Sequence, residues 1–352
     1  MWMFNIMNTT NEISITRNQH GRVTTVAGPG LVDLQLDGYG GLSFNGPVEE
    51  LTAENVRRCF QRMRRRGVVG LLPTVGTDAV ELMLARAARL ASLRRQDELI
   101  NSMLLGLHIE GPMLNAEDGP RGAHPREHII NPADRPGLLE EFQQATGGLV
   151  RIYTLAPELP GAMEFIAAAA ASGVVVALGH HAASAEVIAE AVDAGATMCT
   201  HLGNGSHAMI PRLDNYIMHQ LADDRLVAGF IADGHHIPFP TLKNFLRAKE
   251  VQRSFLVTDA VSCADLPPGE YGSGEDAVRL CPDGAVRLPG TPYLAGSALT
   301  LDRAILNVTA HCGVSLEDAW RMASVQPAEF ARLDPPPRIE AEVSQRGFCV
   351  TR

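Results

Sequence analysis

From residue 30 onward, short apolar runs alternate with stretches whose apolar residues recur at helical spacing. The runs LVDLQLD (31–37), GVVGLLP (67–73), MLLGLHIEG (103–111), VRIYTLAP (150–157), GVVVALGH (173–180), ATMCTHL (196–202), VAGFIADG (227–234) and SFLVTDA (254–260) are mostly continuous and rich in Val, Leu and Ile. Continuous rather than alternating apolar runs mark strands covered on both faces. The segments between them carry helix punctuation. Thr52 is placed to cap a helix running to about Arg66, residues 79–93 repeat at helical spacing, Pro160 opens a helix through Ala171, and Ser184 caps one through Ala194. Gly67, Gly173 and Gly195 stand where a helix C-cap glycine belongs, just before or at the start of the next strand. Eight strands with interleaved helices predict a (β/α)8 TIM barrel, with an open doubly wound sheet as the alternative.

Three segments fall outside the alternation. Residues 1–28 read as a short β-hairpin, ISITRNQHGRVTTV, turning near Gly21. Residues 334–352 open on Asp334-Pro335-Pro336-Pro337 and finish in a strand-like tail expected to pack with the N-terminal segment. The catalytic barrel then spans 29–333, and the Gly- and Pro-rich stretch 264–296 reads as an irregular excursion after the last strand. Loops of that length are often functional. No internal repeat is visible.

The formal net charge of −10 argues against a nucleic-acid partner or an anionic membrane, because both need a basic face. A small anionic substrate needs only a local arginine or helix N-terminus and stays allowed. The run Arg62-Met63-Arg64-Arg65-Arg66 reads as the solvated end of a helix. The six cysteines are scattered with no C-x-x-C, which suggests reduced thiols in a cytoplasmic protein. MWMFNIMNTTNE shows no secretory signal, and no window approaches the ~18 uninterrupted apolar residues of a membrane span.

In a barrel enzyme the active site lies at the C-terminal ends of the strands. There the chain places Asp33 and Gln35, then His108-Ile109-Glu110, His180-His181, Thr200-His201, Asp233-Gly234-His235-His236, and Thr258-Asp259. Carboxylates and imidazoles converging on one mouth point to a divalent metal. Glu110, His180 and His201 form the expected ligand set. Two neutral imidazoles and a carboxylate suit zinc and leave a position open for water. Asp259 is the expected general base, taking a proton from that water and returning it to the leaving group. A one-residue register change would exchange His181 or His235 with its neighbour. His20, His128, His219 and His311 read as structural or solvent-facing.

These residues also carry a resemblance. The segments PGLVDLQLDGYGG (29–41), GLHIEGPMLN (106–115), GAHP (122–125), LGHH (178–181), THLGN (200–204), IADGHH (231–236), LVTDA (256–260) and LAGSALT (294–300) occur in one order over roughly residues 29 to 333. Together they resemble the N-acetylglucosamine-6-phosphate deacetylase family of the amidohydrolase superfamily. The resemblance implies the same Glu110, His180, His201 shell and an acid/base role for Asp259. It further implies that His124 holds and polarises the substrate carbonyl. Asn204 and the backbone at Gly205 would contact the substrate phosphate. Arg212 and His236 would supply its other phosphate contacts, across the interface of a homodimer in some members.

Only Lys243 and Lys249 among the 30 basic residues are lysines, and both follow the seventh strand. A site bridged by a carbamylated lysine on strand four therefore cannot form. One metal ion is expected, with Gln35 near the second position and Asp33 a structural carboxylate. The stretch GNGSHAMIPR (203–212) departs from the family pattern and puts His207 and Met209 in new surroundings. The family's β-sandwich shrinks here to a remnant of a few strands from the two termini. The expected reaction is hydrolysis of the acetamide of an N-acetyl amino sugar 6-phosphate. The alternatives are another N-acyl substrate, such as an unphosphorylated amino sugar or an N-acyl amino acid, or a silent sugar-phosphate-binding barrel.

Overall fold

Eight parallel strands form one sheet, ordered as they occur in the chain: Leu31–Leu36, Val68–Gly76, Leu107–Glu110, Val150–Leu155, Val175–Leu178, Ala196–Cys199, Val227–Ile231 and Ser254–Val257. The sheet closes where the first strand meets the eighth. Leu36 bridges Ala260, the Asp37 and Gly38 amides both donate to the Ala260 carbonyl at 2.9 Å, and the Asp259 amide donates to the Gln35 carbonyl at 3.0 Å. The closed sheet with its outer helices is a (β/α)8 barrel, seen in a computed structural model that describes residues 11–17, 23–272, 277–290, 294–345 and 347–352. Residues 1–10, His20 and the turn expected near Gly21 lie outside the described residues.

The sequence shows why these runs became strands. The first, third, fifth and eighth are buried at every position, as doubly covered parallel strands must be. The helices around them start where their caps predict. Thr52 accepts from the Asn55 amide ahead of Ala53–Arg65, and Ser184 accepts from the Val187 amide ahead of Ala185–Ala194. Ala162–Ala171 begins just after Gly161, and Val80–Gln96 runs three residues past the expected end at 93. Inside the barrel, His108 links strands rather than facing substrate. Its Nδ1 donates to the Leu34 carbonyl at 3.0 Å, its Nε2 lies 2.7 Å from Thr154 Oγ1, and that hydroxyl lies 2.6 Å from Thr200 Oγ1. Burial lowers the His108 pKa and keeps the ring neutral in this row.

The two termini meet in a four-stranded antiparallel sheet of Ser14–Arg17, Val23–Pro29, Arg338–Ser344 and Gly347–Val350. Trp320 ties this sheet to the barrel wall: it is fully buried, donates Nε1–H to the Pro29 carbonyl at 2.8 Å and stacks on Phe348. The stretch 264–296, expected to be irregular, instead folds partly into a small antiparallel sheet, Gly269–Tyr271, Val278–Leu280 and Val286–Arg287. Its core is Cys263, Leu280 and Val286. Strands of two or three residues between glycines and prolines leave no readable period, which is why the sequence hid them. No helix among the described residues is long and apolar enough to cross a membrane.

Candidate metal centre

Three barrel strands deliver three side chains to one point. Glu110 is the last residue of the third strand, and His180 and His201 each lie two residues past the ends of the fifth and sixth. Glu110 Oε1 stands 3.3 Å from His180 Nε2 and 3.2 Å from His201 Nε2, and the two Nε2 atoms are 3.0 Å apart. All three side chains are buried. His180 Nδ1 donates to the Pro120 carbonyl at 2.7 Å, which orients the ring and leaves Nε2 as the atom that would face a metal. Ligands around a tetrahedral zinc, each at ~2.0–2.1 Å, stand roughly 3.3 Å from one another. The three donor atoms therefore have the spacing, softness and charge of a divalent metal site.

The electrostatics point the same way. Burial alone would raise the Glu110 pKa, but hydrogen bonds and charge from His180 and His201 hold it well below the usual range. Burial would lower His201, yet its bond to Glu110 and the negative charges of Asp259 and Glu110 push it up to about 9. The metal-free centre thus keeps a proton where a cation is wanted. His124 behaves oppositely. Its Nε2 lies 3.3 Å from His180 Nε2, and desolvation with His180 alongside pushes its pKa down to about 3. It is a neutral imidazole at neutral pH.

The backbone is strained where the site is built. His180, His201 and Asp259 have φ of 53°, 27° and 50°, in the left-handed region that L-residues avoid. Such residues cost of order 1–3 kcal/mol each and persist only where their surroundings over-determine them. One neighbour makes the crowding explicit. Gly205 has φ 54°, and a Cβ there would come within 2.7 Å of His180 Nδ1. Only a glycine lets the loop after the sixth strand lie against that ring.

The structure brings most of the expected residues together. Gln35 Nε2 donates to Glu110 Oε1 at 3.0 Å, and Asn204 Nδ2 donates to the carbonyl of His201 at 3.0 Å. Asp259 follows the eighth strand at the closure of the barrel, where its charge acts on His201. Arg212 is exposed on the loop after the sixth strand. His236 Nδ1 lies 2.7 Å from Asp233 Oδ2. Among the described residues neither is hydrogen-bonded to the cluster. His181 and His235 stand outside this cluster. His181 Nδ1 accepts from the Ala183 amide, and His235 Nε2 lies 3.1 Å from the Asp283 carbonyl.

Two carboxylates escaped the sequence reading of the site. Asp37 Oδ1 accepts from Asn45 Nδ2 at 2.9 Å, and burial with the nearby charges of Asp259 and Glu110 raises its pKa well above the usual range. Glu117 Oε2 lies 3.1 Å from His207 Nε2, and the His207 amide donates to the Tyr216 phenol oxygen at 2.9 Å, joining the two loops beside the metal ligands. The acidic residue in DGYGG was a visible signal for the first. Nothing local to residue 117 or 207 announced the second.

Comparison with known proteins follows the same lines. A model of the amidohydrolase family matches residues 26–336. The N-acetylgalactosamine-6-phosphate deacetylase of Shewanella sp. (strain ANA-3) is 35% identical over 305 residues, which is 86% of this chain and 73% of the relative. The human N-acetylglucosamine-6-phosphate deacetylase is 34% identical over 323 residues, 88% of this chain and 75% of the relative. A mutant of the Mycobacterium smegmatis N-acetyl-D-glucosamine-6-phosphate deacetylase, solved in complex with N-acetyl-D-glucosamine-6-phosphate, superposes with a TM-score of 0.82 at 29% identity. The match covers 94% of this chain and 91% of that one.

Proposed function

The chain belongs to the amidohydrolase family, and on that premise we infer its reaction: hydrolysis of N-acetylglucosamine-6-phosphate to acetate and glucosamine-6-phosphate. The observation that carries this reading is the buried Glu110–His180–His201 triangle at the mouth of a barrel that superposes on a substrate-bound deacetylase. Two imidazoles and one carboxylate favour zinc over harder ions. A zinc ion held by these three residues would supply a Lewis acid and lower the pKa of water.

The chain's own groups supply the rest. Asp259 takes the proton of the attacking water and delivers it to the amine nitrogen, which leaves poorly as an anion. His124 donates a hydrogen bond to the amide oxygen as negative charge builds there. Its lowered pKa leaves the ring neutral, with one ring N–H to donate in that step. Gln35 holds Glu110 in place through the hydrogen bond from its Nε2. Asn204, the Gly205 backbone, Arg212 and His236 are the groups we assign to the sugar and its phosphate. A guanidinium fork and an imidazole N–H donor suit a dianion.

A homodimer belongs to this reading. The large apolar side chains most exposed among the described residues, Met209, Leu213 and Met218, are 91%, 76% and 42% exposed and lie in the same stretch of chain as Arg212. Burying them against a second copy would bring Arg212 to a neighbouring mouth. Six free cysteines fit a reducing, cytoplasmic setting. A second substrate reading rests on one observation: the relative at 35% identity is a deacetylase of the galactosamine epimer. Acetate release from the two epimers by chelator-treated and zinc-restored protein tests both points. Turnover that survives complete metal removal would sink the metal-dependent reading.

A further inference from the structure

Asp33 is fully buried, 0% exposed, at the seam where the first strand meets the eighth. The seam is thinly paired. The seventh and eighth strands share four residue pairs in register, whereas the first strand meets the chain just past the eighth at the isolated bridge Leu36–Ala260. A side-chain clamp stands in for the missing ladder. Thr258 Oγ1 donates to Asp33 Oδ2 at 2.6 Å, the Thr258 amide donates to Asp33 Oδ1 at 3.2 Å, and the Gln35 amide approaches the same oxygen at 3.4 Å. The clamped segments carry functional residues. The Asp259 amide donates to the Gln35 carbonyl at 3.0 Å, and Ser297 closes the far side. Its hydroxyl donates to the Thr258 carbonyl and its amide to the Asp259 carbonyl at 3.1 Å.

We propose that Asp33 is a positioning residue for the reaction: through the Thr258 hydroxyl it fixes the left-handed backbone that aims Asp259, and through the Gln35 amide it fixes the strand end that carries Gln35. The inference rests on the acid/base role given above to Asp259. Asp259 has φ 50° and would relax to an ordinary backbone region if its neighbours released it, swinging the carboxyl away from the mouth. A carboxyl group at 0% exposure is an expensive way to fill a barrel seam, and an apolar residue would serve packing alone better. A displacement of the base by about 1 Å is enough to cost about 100-fold in rate.

The experiment compares Thr258→Val, which removes the hydroxyl at constant volume, with Thr258→Ser, which keeps it. Asp33→Asn and Asp259→Asn accompany them, all on metal-loaded full-length protein. Thr258→Val is expected to lower kcat by about 100-fold with KM within about twofold, and Thr258→Ser to stay within about threefold of wild type. Asp33→Asn should lose comparable activity, and the double variant should lose little more, because both act through one clamp. Thr258→Ala gives the same reading if the valine variant does not fold. Thr258→Val at wild-type kcat while Asp259→Asn is inactive would overturn the inference and leave the base assignment standing. Full activity in Asp259→Asn would overturn the assignment and the inference with it. Losses in Asp33→Asn and Thr258→Val that multiply independently would also overturn the clamp.

Discussion

At the scale of single residues the site is a problem in placing protons. Asp259 must be ionised to accept one and close enough to the scissile amide to return it. Replacing it by Asn keeps the size and the hydrogen bonds of the backbone, so the metal ligands should be undisturbed. We expect kcat to fall by roughly 10²–10⁴ while bound zinc per chain stays unchanged. Rapid-quench acetate release with metal analysis checks both halves. His201 sets the pH behaviour of the metal-free centre. Its folded pKa, about 9 against an ordinary 6.5, means the protonated ring stabilises the fold. That stability is fully present below pH 6.5 and is lost as pH rises through about 9. Zinc must displace the same proton. Between those two pH values the apparent zinc affinity should therefore rise with pH, with about one proton released per ion. Calorimetry in two buffers of different ionisation enthalpy measures that proton directly. A pH-independent affinity would contradict the pairing of His201 with Glu110.

At the scale of elements, the three cluster residues sit at a strand end or two residues past one. The loop after the sixth strand lies against His180 because residue 205 has no side chain. Gly205→Ala should push on that ring, which is held by Pro120, and weaken zinc binding by about tenfold while Tm falls only slightly. A competition titration with a chelating dye reads this. The elements also show what the chain discloses without a structure. The eight strands were legible because parallel strands are apolar on both faces, and Glu110, His180 and His201 were legible because barrel chemistry sits where such strands stop. The register question at His180-His181 was settled only by three dimensions, since period alone does not tell which of two adjacent imidazoles points inward. Asp37 with Asn45, and Asp33 with Thr258, were invisible for another reason. Their partners are brought together by a turn and by barrel closure, and no local pattern encodes a contact across 225 residues.

At the scale of the whole molecule, a protein of net charge −10 binds a dianion, so the attraction has to be local. Arg212 stands exposed on a loop with Met209 and Leu213. Two outcomes follow from the dimer reading. Met209→Glu with Leu213→Glu should give a monomer in sedimentation velocity, because a buried apolar patch does not tolerate two carboxylates. The same variant, and Arg212→Ala in the intact dimer, should raise KM for the phosphorylated sugar strongly and leave the weak turnover of the neutral sugar unchanged. An equal effect on both substrates would place Arg212 outside phosphate recognition. The terminal sheet serves a different end. Trp320 donates to the Pro29 carbonyl and so fastens it to the barrel wall.

The central claim is that this barrel uses one metal centre to remove acetate from an amino sugar that carries a 6-phosphate. The most direct test is acetate release by zinc-loaded protein from N-acetylglucosamine and N-acetylglucosamine-6-phosphate, assayed side by side. The account predicts rapid hydrolysis of the phosphorylated sugar, a kcat/KM for the neutral sugar lower by at least about 100-fold, and loss of both on chelation. Hydrolysis of neither sugar, or equal hydrolysis of both, would contradict it.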